Sequence, residues 1–329
     1  MTTDSQTAAG GLETFREEFA ECWRQMPDKG LFGILLAAWL ALFHFFGNST
    51  LGYINSASFF RWLEWMYANR ADDEHGRLIP FVVLILFWVR REELLAVPKR
   101  RWWPALPLLL FALALQVLSF MVQQTQISVV AFFVGLYGLT GLIWGWRWLR
   151  ASFFPFFLFA FCLPLGNLAE PITFPLRVVA TQLTVAISDI GLGINVIRNG
   201  TDILEPTGKF KYDVAVACSG IRSLTAIFAM ATIYAFLAFK RPWKRLAMIA
   251  AAFPLAIAGN SVRLIAIIIA AEAFGQSAGN YVHNNGVLSM LPYVPAILGI
   301  LLLGRLLKEK EAVSQVMEPL PSIGGAPNL

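Results

Sequence analysis

Four side chains in the second half of the chain have the types and spacing of a nucleophilic site: Cys218, Arg222, Arg263 and His283. A thiol attacks as its thiolate, and a neighbouring guanidinium or imidazolium lowers its pKa. A histidine titrates near neutrality and can protonate a leaving amine. An arginine presents fixed donors to the oxyanion of a tetrahedral intermediate. Together these are the parts of a cysteine acyl-transfer site. They leave open whether water or an amine resolves the acyl-enzyme. Arg222 follows Cys218 by four residues, so a helix through both carries them on one face.

The chain that must position these groups is 57% hydrophobic and 14% charged over 329 residues, whereas soluble domains run near a quarter charged. That composition excludes a soluble enzyme, a disordered chain and a disulfide scaffold. The net charge is +5. Its cations sit in short clusters beside apolar runs, which fits membrane topology; no nucleic-acid partner is expected. Three cysteines are too few for a disulfide framework, and Cys162, among phenylalanines in an apolar run, reads as a packing residue. Twenty-nine mixed-charge residues precede the first apolar run, unlike a cleavable signal peptide. Metal-ligand spacings and phosphate loops are absent from the sequence, so neither a metal nor a cofactor is expected. Paired aspartates within apolar runs are absent too, against an intramembrane aspartyl protease.

A helix rises about 1.5 Å per residue, so about 20 apolar residues cross a bilayer core. Candidate spans are Gly30–Phe46, Leu78–Val89, Trp102–Val122, Ile127–Trp146, Ser152–Leu168, Gly220–Phe239, Leu246–Phe274 and Val287–Leu303. The expected fold is an all-α polytopic membrane helical bundle of about eight transmembrane helices. Leu51–Ala68, aromatic and charged, suits a helix in the interface. With both termini cytoplasmic, seventeen cations fall on cytoplasmic segments, seven on outer ones, and Arg222 and Arg263 inside spans; this bias sets the orientation. Residues 1–29 then form a cytoplasmic N-terminal segment, 30–307 the membrane domain and 308–329 a disordered cytoplasmic tail.

The largest outer segment is Ala169–Ala217. Pro175–Ile194 mixes apolar positions with Arg177, Gln182 and Asp189, as in a partly buried or interfacial helix. Asn199-Gly200 predicts a two-residue turn, because both central positions then need positive φ. A small extracytoplasmic β-hairpin leading into Cys218 follows.

This topology places Cys218, Arg222, Arg263 and His283 on one membrane face. An ionisable residue inside a span costs at least about 2.5–3.5 kcal/mol, so Arg222 and Arg263 are functional candidates by default. Arg222 could equally snorkel or pair with a carboxylate such as Asp213. Asn260, one turn from Arg263, either orients it or closes a helix break near Gly259. Ser219, Gly220 and Asn284 could shape an oxyanion site. Of the three histidines, His44 reads as a satisfied span-end residue, and His75 is the reserve for His283, or instead contacts substrate or fixes the turn at Gly76.

The octapeptide Ala217-Cys218-Ser219-Gly220-Ile221-Arg222-Ser223-Leu224 resembles the signature of the exosortase/archaeosortase family. Asn260-Ser261-Val262-Arg263 is similar to its Asn-x-x-Arg motif, and His283 with Gly286 to its third, here spaced His-x-x-Gly. His75-Gly76-Arg77-Leu78-Ile79-Pro80, Trp88 and Arg90-Arg91 resemble its N-terminal pattern. Pro175-Leu176-Arg177 and Gly191–Leu204 resemble the stretch leading to the cysteine. The likeness covers roughly Gly76 to Leu303. It implies an integral-membrane cysteine protease or transpeptidase of a bacterial inner membrane. Its partners would be exported proteins ending in a short motif, a transmembrane helix and a basic tail. By that resemblance Cys218 is the nucleophile, Arg263 stabilises the oxyanion or thiolate, and His283 is the acid/base. Glu92 and Glu93 could contact the basic tail, or simply lie in a solvated loop.

Two other classes compete. A transporter would use the long seventh segment as a discontinuous helix, broken at Pro254, Gly259 and Asn260. It would need Arg263 but not Cys218. A non-catalytic component of exopolysaccharide machinery would need neither.

Overall fold

The computed structural model describes residues 3–50, 54–69, 71–165, 168, 170–213, 221–291 and 293–308. Among these it is mostly helical, with thirteen α-helices and one small sheet. The first half runs α1 (Thr3–Gln25), α2 (Lys29–Phe46), α3 (Phe59–Asn69), α4 (Ile79–Val89), α5 (Arg91–Ala96), α6 (Leu106–Val122), α7 (Thr125–Trp144) and α8 (Trp146–Phe157). The second runs α9 (Glu170–Ala186), three strands, α10 (Ile221–Ala238), α11 (Pro242–Phe274), α12 (Gln276–Asn284) and α13 (Tyr293–Leu306).

Every apolar run marked as a span folds as helix over much of its length. Among the described residues four helices are long and apolar enough to cross a membrane: Lys29–Phe46, Trp103–Val122, Thr125–Trp144 and Pro242–Phe274. Leu224–Ala238 and Tyr293–Leu306 are apolar but shorter. α4, with 11 residues, rises about 16 Å, half the thickness of a hydrocarbon core. The aromatic segment before it supplies α3, which buries Phe59, Trp62, Met66 and Tyr67 against the bundle.

In lipid, close backbone approach at small residues replaces the hydrophobic drive that joins helices in water. α7, the hub of the first half, shows this: a Cβ on Gly135 would stand 1.9 Å from Cζ2 of Trp39. The Trp39 indole N–H in turn donates to the Phe132 carbonyl at 3.1 Å. Where α6 turns into α7, buried hydroxyls and amides tie in the end of α2. Thr125 Oγ1 donates to Asn48 Oδ1 (3.0 Å), Ser119 Oγ to Ser49 Oγ (2.9 Å), and Asn48 Nδ2 to the Ser56 carbonyl (2.7 Å). At the opposite end Arg101 grips Asp28 through Nε and Nη2 (3.0 and 2.9 Å), and Trp144 Nε1 donates to the Pro27 carbonyl (3.1 Å). Arg101 holds the Asp28 carboxyl below its usual range.

α11 organises the second half, packing against α9, α10, α12 and α13. It is one continuous helix of 33 residues through Pro254, Gly259 and Asn260. The discontinuity expected there is absent, because a proline in a membrane helix is tolerated where neighbours satisfy the freed backbone groups. The transporter reading loses its warrant with it. α9 is inverted relative to a soluble amphipathic helix. Its buried stripe is Thr173, Arg177, Ala180, Thr181 and Thr184, while Ile172, Phe174, Val179 and Leu183 are exposed.

The outer hairpin is a three-stranded antiparallel sheet in sequential order: β1 (Ile197–Asn199), β2 (Asp202–Leu204) and β3 (Lys211–Asp213). The register differs from expectation. Asn199 pairs with Asp202, so the two turn residues are Gly200 and Thr201, not Asn199-Gly200. Gly200 alone takes a positive φ, 64°, and glycine first in the loop is the pattern of a type II′ turn.

Gly135→Val should overpack the α2–α7 contact, a change that costs about 1–3 kcal/mol. A lower melting temperature of the detergent-solubilised protein is expected. Gly33→Val, facing open space, should leave the melting temperature nearly unchanged.

Candidate active site

Arg263 lies 21 residues into α11, about 32 Å of rise from its start. The helix ends at Phe274, and Gly275 adopts φ 87°, ψ 172°, a conformation essentially confined to glycine. The chain therefore reverses at once, and α12 runs back along α11. The seven residues from Gln276 to His283 retrace about 10 Å. This brings His283 within reach of the long Arg263 side chain, whose Nη2 donates to the His283 carbonyl at 3.2 Å. Arg263 Nε is buried with no hydrogen-bond partner among the described residues.

The His283 ring is half-buried, and its Nδ1 lies 2.8 Å from Asn284 Oδ1. Asn284, which the sequence offered for an oxyanion site, thus lies against the histidine ring.

The sheet packs on the C-terminal half of α11. Val196, Ile203, Phe210 and Tyr212 form one core with Leu264, Ile267, Ile268 and Ala271. Tyr212 also donates its hydroxyl to the Gln276 carbonyl at 3.1 Å. Gly279 makes room for it, since a Cβ there would lie 2.0 Å from the hydroxyl oxygen. Burial raises the Tyr212 phenol above its ordinary pKa. Lys209 adds an ion pair to Glu272 (2.7 Å). β3 is thereby fixed to the turn that carries α12.

Cys218, Ser219 and Gly220 lie outside the described residues. Arg222 falls in the first turn of α10, and its side chain lies outside them too. The Asn260 side chain is buried one turn before Arg263, with no hydrogen bond between them. It lines a cavity of about 20 Å³ with Thr173, Leu176, Arg177, Leu224 and Ala256, room for about one water. Beside it Ser261 Oγ donates to the Ala180 carbonyl of α9 at 3.3 Å.

His75 sits elsewhere, in a 3-10 turn (Ala71–Arg77) packed against α10. Its Nδ1 lies 3.5 Å from Thr225 Oγ1. The turn is braced by Cys162, whose thiol reaches the Gly76 carbonyl, and by Tyr67, whose hydroxyl donates to the Cys162 carbonyl. Cys162 is buried and unpaired, as expected of a packing residue. His44 pairs with Ser58 at 3.4 Å.

Arg177, read from the sequence as part of a partly buried or interfacial helix, is buried. Its side chain is 5% exposed and bound to Glu170 at 2.5 Å. What the sequence analysis did not assign is the helical spacing of Thr173, Arg177, Thr181 and Thr184, the polar stripe that α9 turns inward.

Residues 62–298 match the family of transmembrane exosortases, the EpsH family. The chain belongs to that family, whose members are generally cysteine transpeptidases. No curated protein and no solved structure matches it.

The turn between β2 and β3 is closed by Glu205, whose Oε2 accepts from the backbone N–H groups of Thr207 (2.9 Å) and Lys209 (3.0 Å) and from the Thr207 hydroxyl. These bonds, led by the Thr207 hydroxyl, hold its carboxyl below the ordinary value. A depressed carboxyl stabilises the fold above the unfolded value of about 4.3 and loses that contribution as pH falls through the folded value. Protection factors of the Thr207 and Lys209 amides, referred to the intrinsic rate at each pH, should fall below about pH 4, and Glu205→Gln should flatten that dependence.

Proposed function

We propose that this exosortase cleaves C-terminal sorting signals of exported proteins at the outer face of a bacterial cytoplasmic membrane, through a thioester on Cys218. Eight segments cross or enter the membrane with both termini cytoplasmic. In support, contacts join ends that the charge bias puts on one face. Arg101 meets Asp28 and Lys244 reaches the Leu307 carbonyl on one side; Lys209 meets Glu272 and Arg263 meets His283 on the other.

The observation that carries the reading is the Arg263–His283 contact beside the anchored end of β3. Two candidates twenty residues apart converge there. From Asp213, which ends β3, five residues lead to Cys218; three more lead to Ile221, which opens α10. At 3.8 Å per residue the thiol-bearing residue stays within about 11 Å of the start of α10 along the chain. The motif residues therefore lie on one bounded stretch between the two candidate regions.

The Cys218 thiolate attacks the scissile carbonyl, and Arg263 donates to the developing oxyanion. Collapse expels the amine of the C-terminal fragment, which takes a proton from the His283 imidazolium. The exported protein remains as a thioester until water or an acceptor amine attacks its carbonyl, releasing the Cys218 thiolate. Arg222 lowers the thiol pKa; Ser219 and Gly220 shape the oxyanion site. Asn260 supports the wall beside Arg263, and His75 braces the first turns of α10. Substrates are proteins of the PEP-CTERM type, with a terminal helix and basic tail.

The test compares envelope proteins bearing a C-terminal span and basic tail in cells expressing wild type or Cys218→Ala. Intact mass should show tail removal with wild type only, and any added mass would identify the acceptor. Identical processing by both, with the variant properly inserted, would sink the reading. In purified protein, Arg263→Lys should lower kcat by about 100-fold or more, the scale of losing an oxyanion donor. His283→Ala should remove the limb of the pH–rate profile that His75→Ala leaves in place.

A further inference from the structure

Between α7 and α8 lies a cavity of about 240 Å³ that none of the residues in the proposed mechanism lines. The two helices touch near their shared turn: Gly141 has no side chain, and a Cβ there would stand 2.4 Å from Leu149 Cδ1. The Tyr137 hydroxyl ties them again, donating to the Leu149 carbonyl at 2.8 Å. Beyond that point they part. Pro155 interrupts α8, and a 3-10 stretch, Leu158–Cys162, carries the chain onward. The result is a wedge walled by Val130, Phe133, Tyr137, Phe153, Phe157 and Phe159. Val130, Phe153 and Phe157 are exposed, so the wedge opens on the outside of the bundle. Its walls are hydrocarbon and aromatic, because the Tyr137 hydroxyl is committed to Leu149. An apolar cavity does not hold water, and left empty it would forfeit the dispersion contacts of its lining.

α8 adds a charged group at the foot of this wedge. Trp146, Arg150, Phe153 and Phe157 follow one another at helical spacing and share one face. Arg147 and Arg150 are both exposed, and neither makes an ion pair or side-chain hydrogen bond among the described residues. The exposed Trp146 ring meets Trp102 at 5.3 Å, an aromatic pair of the kind that sits at headgroup level.

We propose that the wedge binds one acyl chain of an anionic phospholipid whose phosphate is held by Arg150, with Arg147 beside it. A guanidinium donates to phosphate oxygens in pairs. Phe153 opens the apolar wall one turn further along α8, about 4.5 Å of rise. Head and chain sites are therefore contiguous, in the order a lipid needs. A transmembrane helix does not fit: a cylinder 10 Å across and 15 Å long fills about 1,200 Å³, roughly five times the cavity. A zwitterionic lipid could fill the wedge, but it would bring its own cation to the two arginines.

The test is native mass spectrometry of the full-length protein, released from micelles with equal phosphatidylglycerol and phosphatidylcholine of identical chains. Wild type should retain phosphatidylglycerol about fivefold or more over phosphatidylcholine, the scale of one arginine against an anionic lipid. Arg150→Gln should remove most of that preference and Arg147→Gln/Arg150→Gln all of it. Arg305→Gln, at an exposed cation on α13, should keep it. Ala160→Phe, at an exposed position of the lining, fills the wedge. It should lower retention of both lipids about tenfold, the scale of two buried methylenes, without a fall in melting temperature. Val130→Phe fills the wedge from the other wall and replaces Ala160→Phe if that variant does not fold.

Equal retention of the two lipids by wild type would overturn the site. A preference that survives the double variant, or retention unchanged when the wedge is filled, would do the same. So would displacement of the lipid by a peptide of one apolar transmembrane helix, which would make the wedge a seat for a second helix. Every readout here is binding, with Cys218 unchanged, so the peptidase reading stands or falls separately.

Discussion

In hydrocarbon, polar groups have to be satisfied from inside the protein, and this constraint decides how the second half of the chain is built. α9 turns its threonines and Arg177 inward and its isoleucines and leucines outward. It leans on α11 where Asn260 and Ser261 are also buried. A buried arginine in such a place is stable only with an anion, and Glu170 supplies one. The crossing of α9 with α11 is therefore a polar seam. Arg263 stands one turn beyond it.

The seam fixes a level, and Gly275 fixes a direction. Because the chain reverses at that residue, α12 descends beside α11 and meets Arg263 through the His283 carbonyl. The sheet then caps the pair, held by Tyr212 against α12 and by an apolar layer against α11. Short strands of three residues would be marginal alone; here their inner face is a wall of α11. Rigid helices thus position the arginine and the histidine, and a strand bound to both helices leads toward the cysteine.

Much of this was legible in the residues. The apolar runs announced helices by length. The alternation of cationic clusters put Arg263 and His283 at the same end, and the octapeptide around Cys218 with Asn-x-x-Arg pointed to the family. Other features escaped for physical reasons. The seventh run carries Pro254 and Gly259, breakers in water, yet packing on four helices keeps α11 continuous. The Asn199-Gly200 turn slipped by one residue because a hairpin register is set by the partner strand and the face it buries. Arg177 counts with the outer-segment cations on a partly buried or interfacial helix; that it sits in the buried stripe facing α11 depends on Glu170, which the spacing alone did not single out. Asn284 read as a member of an oxyanion site, whereas its amide oxygen lies against the His283 ring.

The anchoring of β3 by Tyr212 also ties two distant parts of the chain into one unit. Tyr212 reaches the Gln276 carbonyl across the space that Gly279 leaves, and Lys209 reaches Glu272. Both contacts join residues more than sixty apart in sequence. Neither the sheet nor the reversal after α11 gains them until the other is in place. Strand and reversal therefore open and close together, as one cooperative segment, rather than fraying separately.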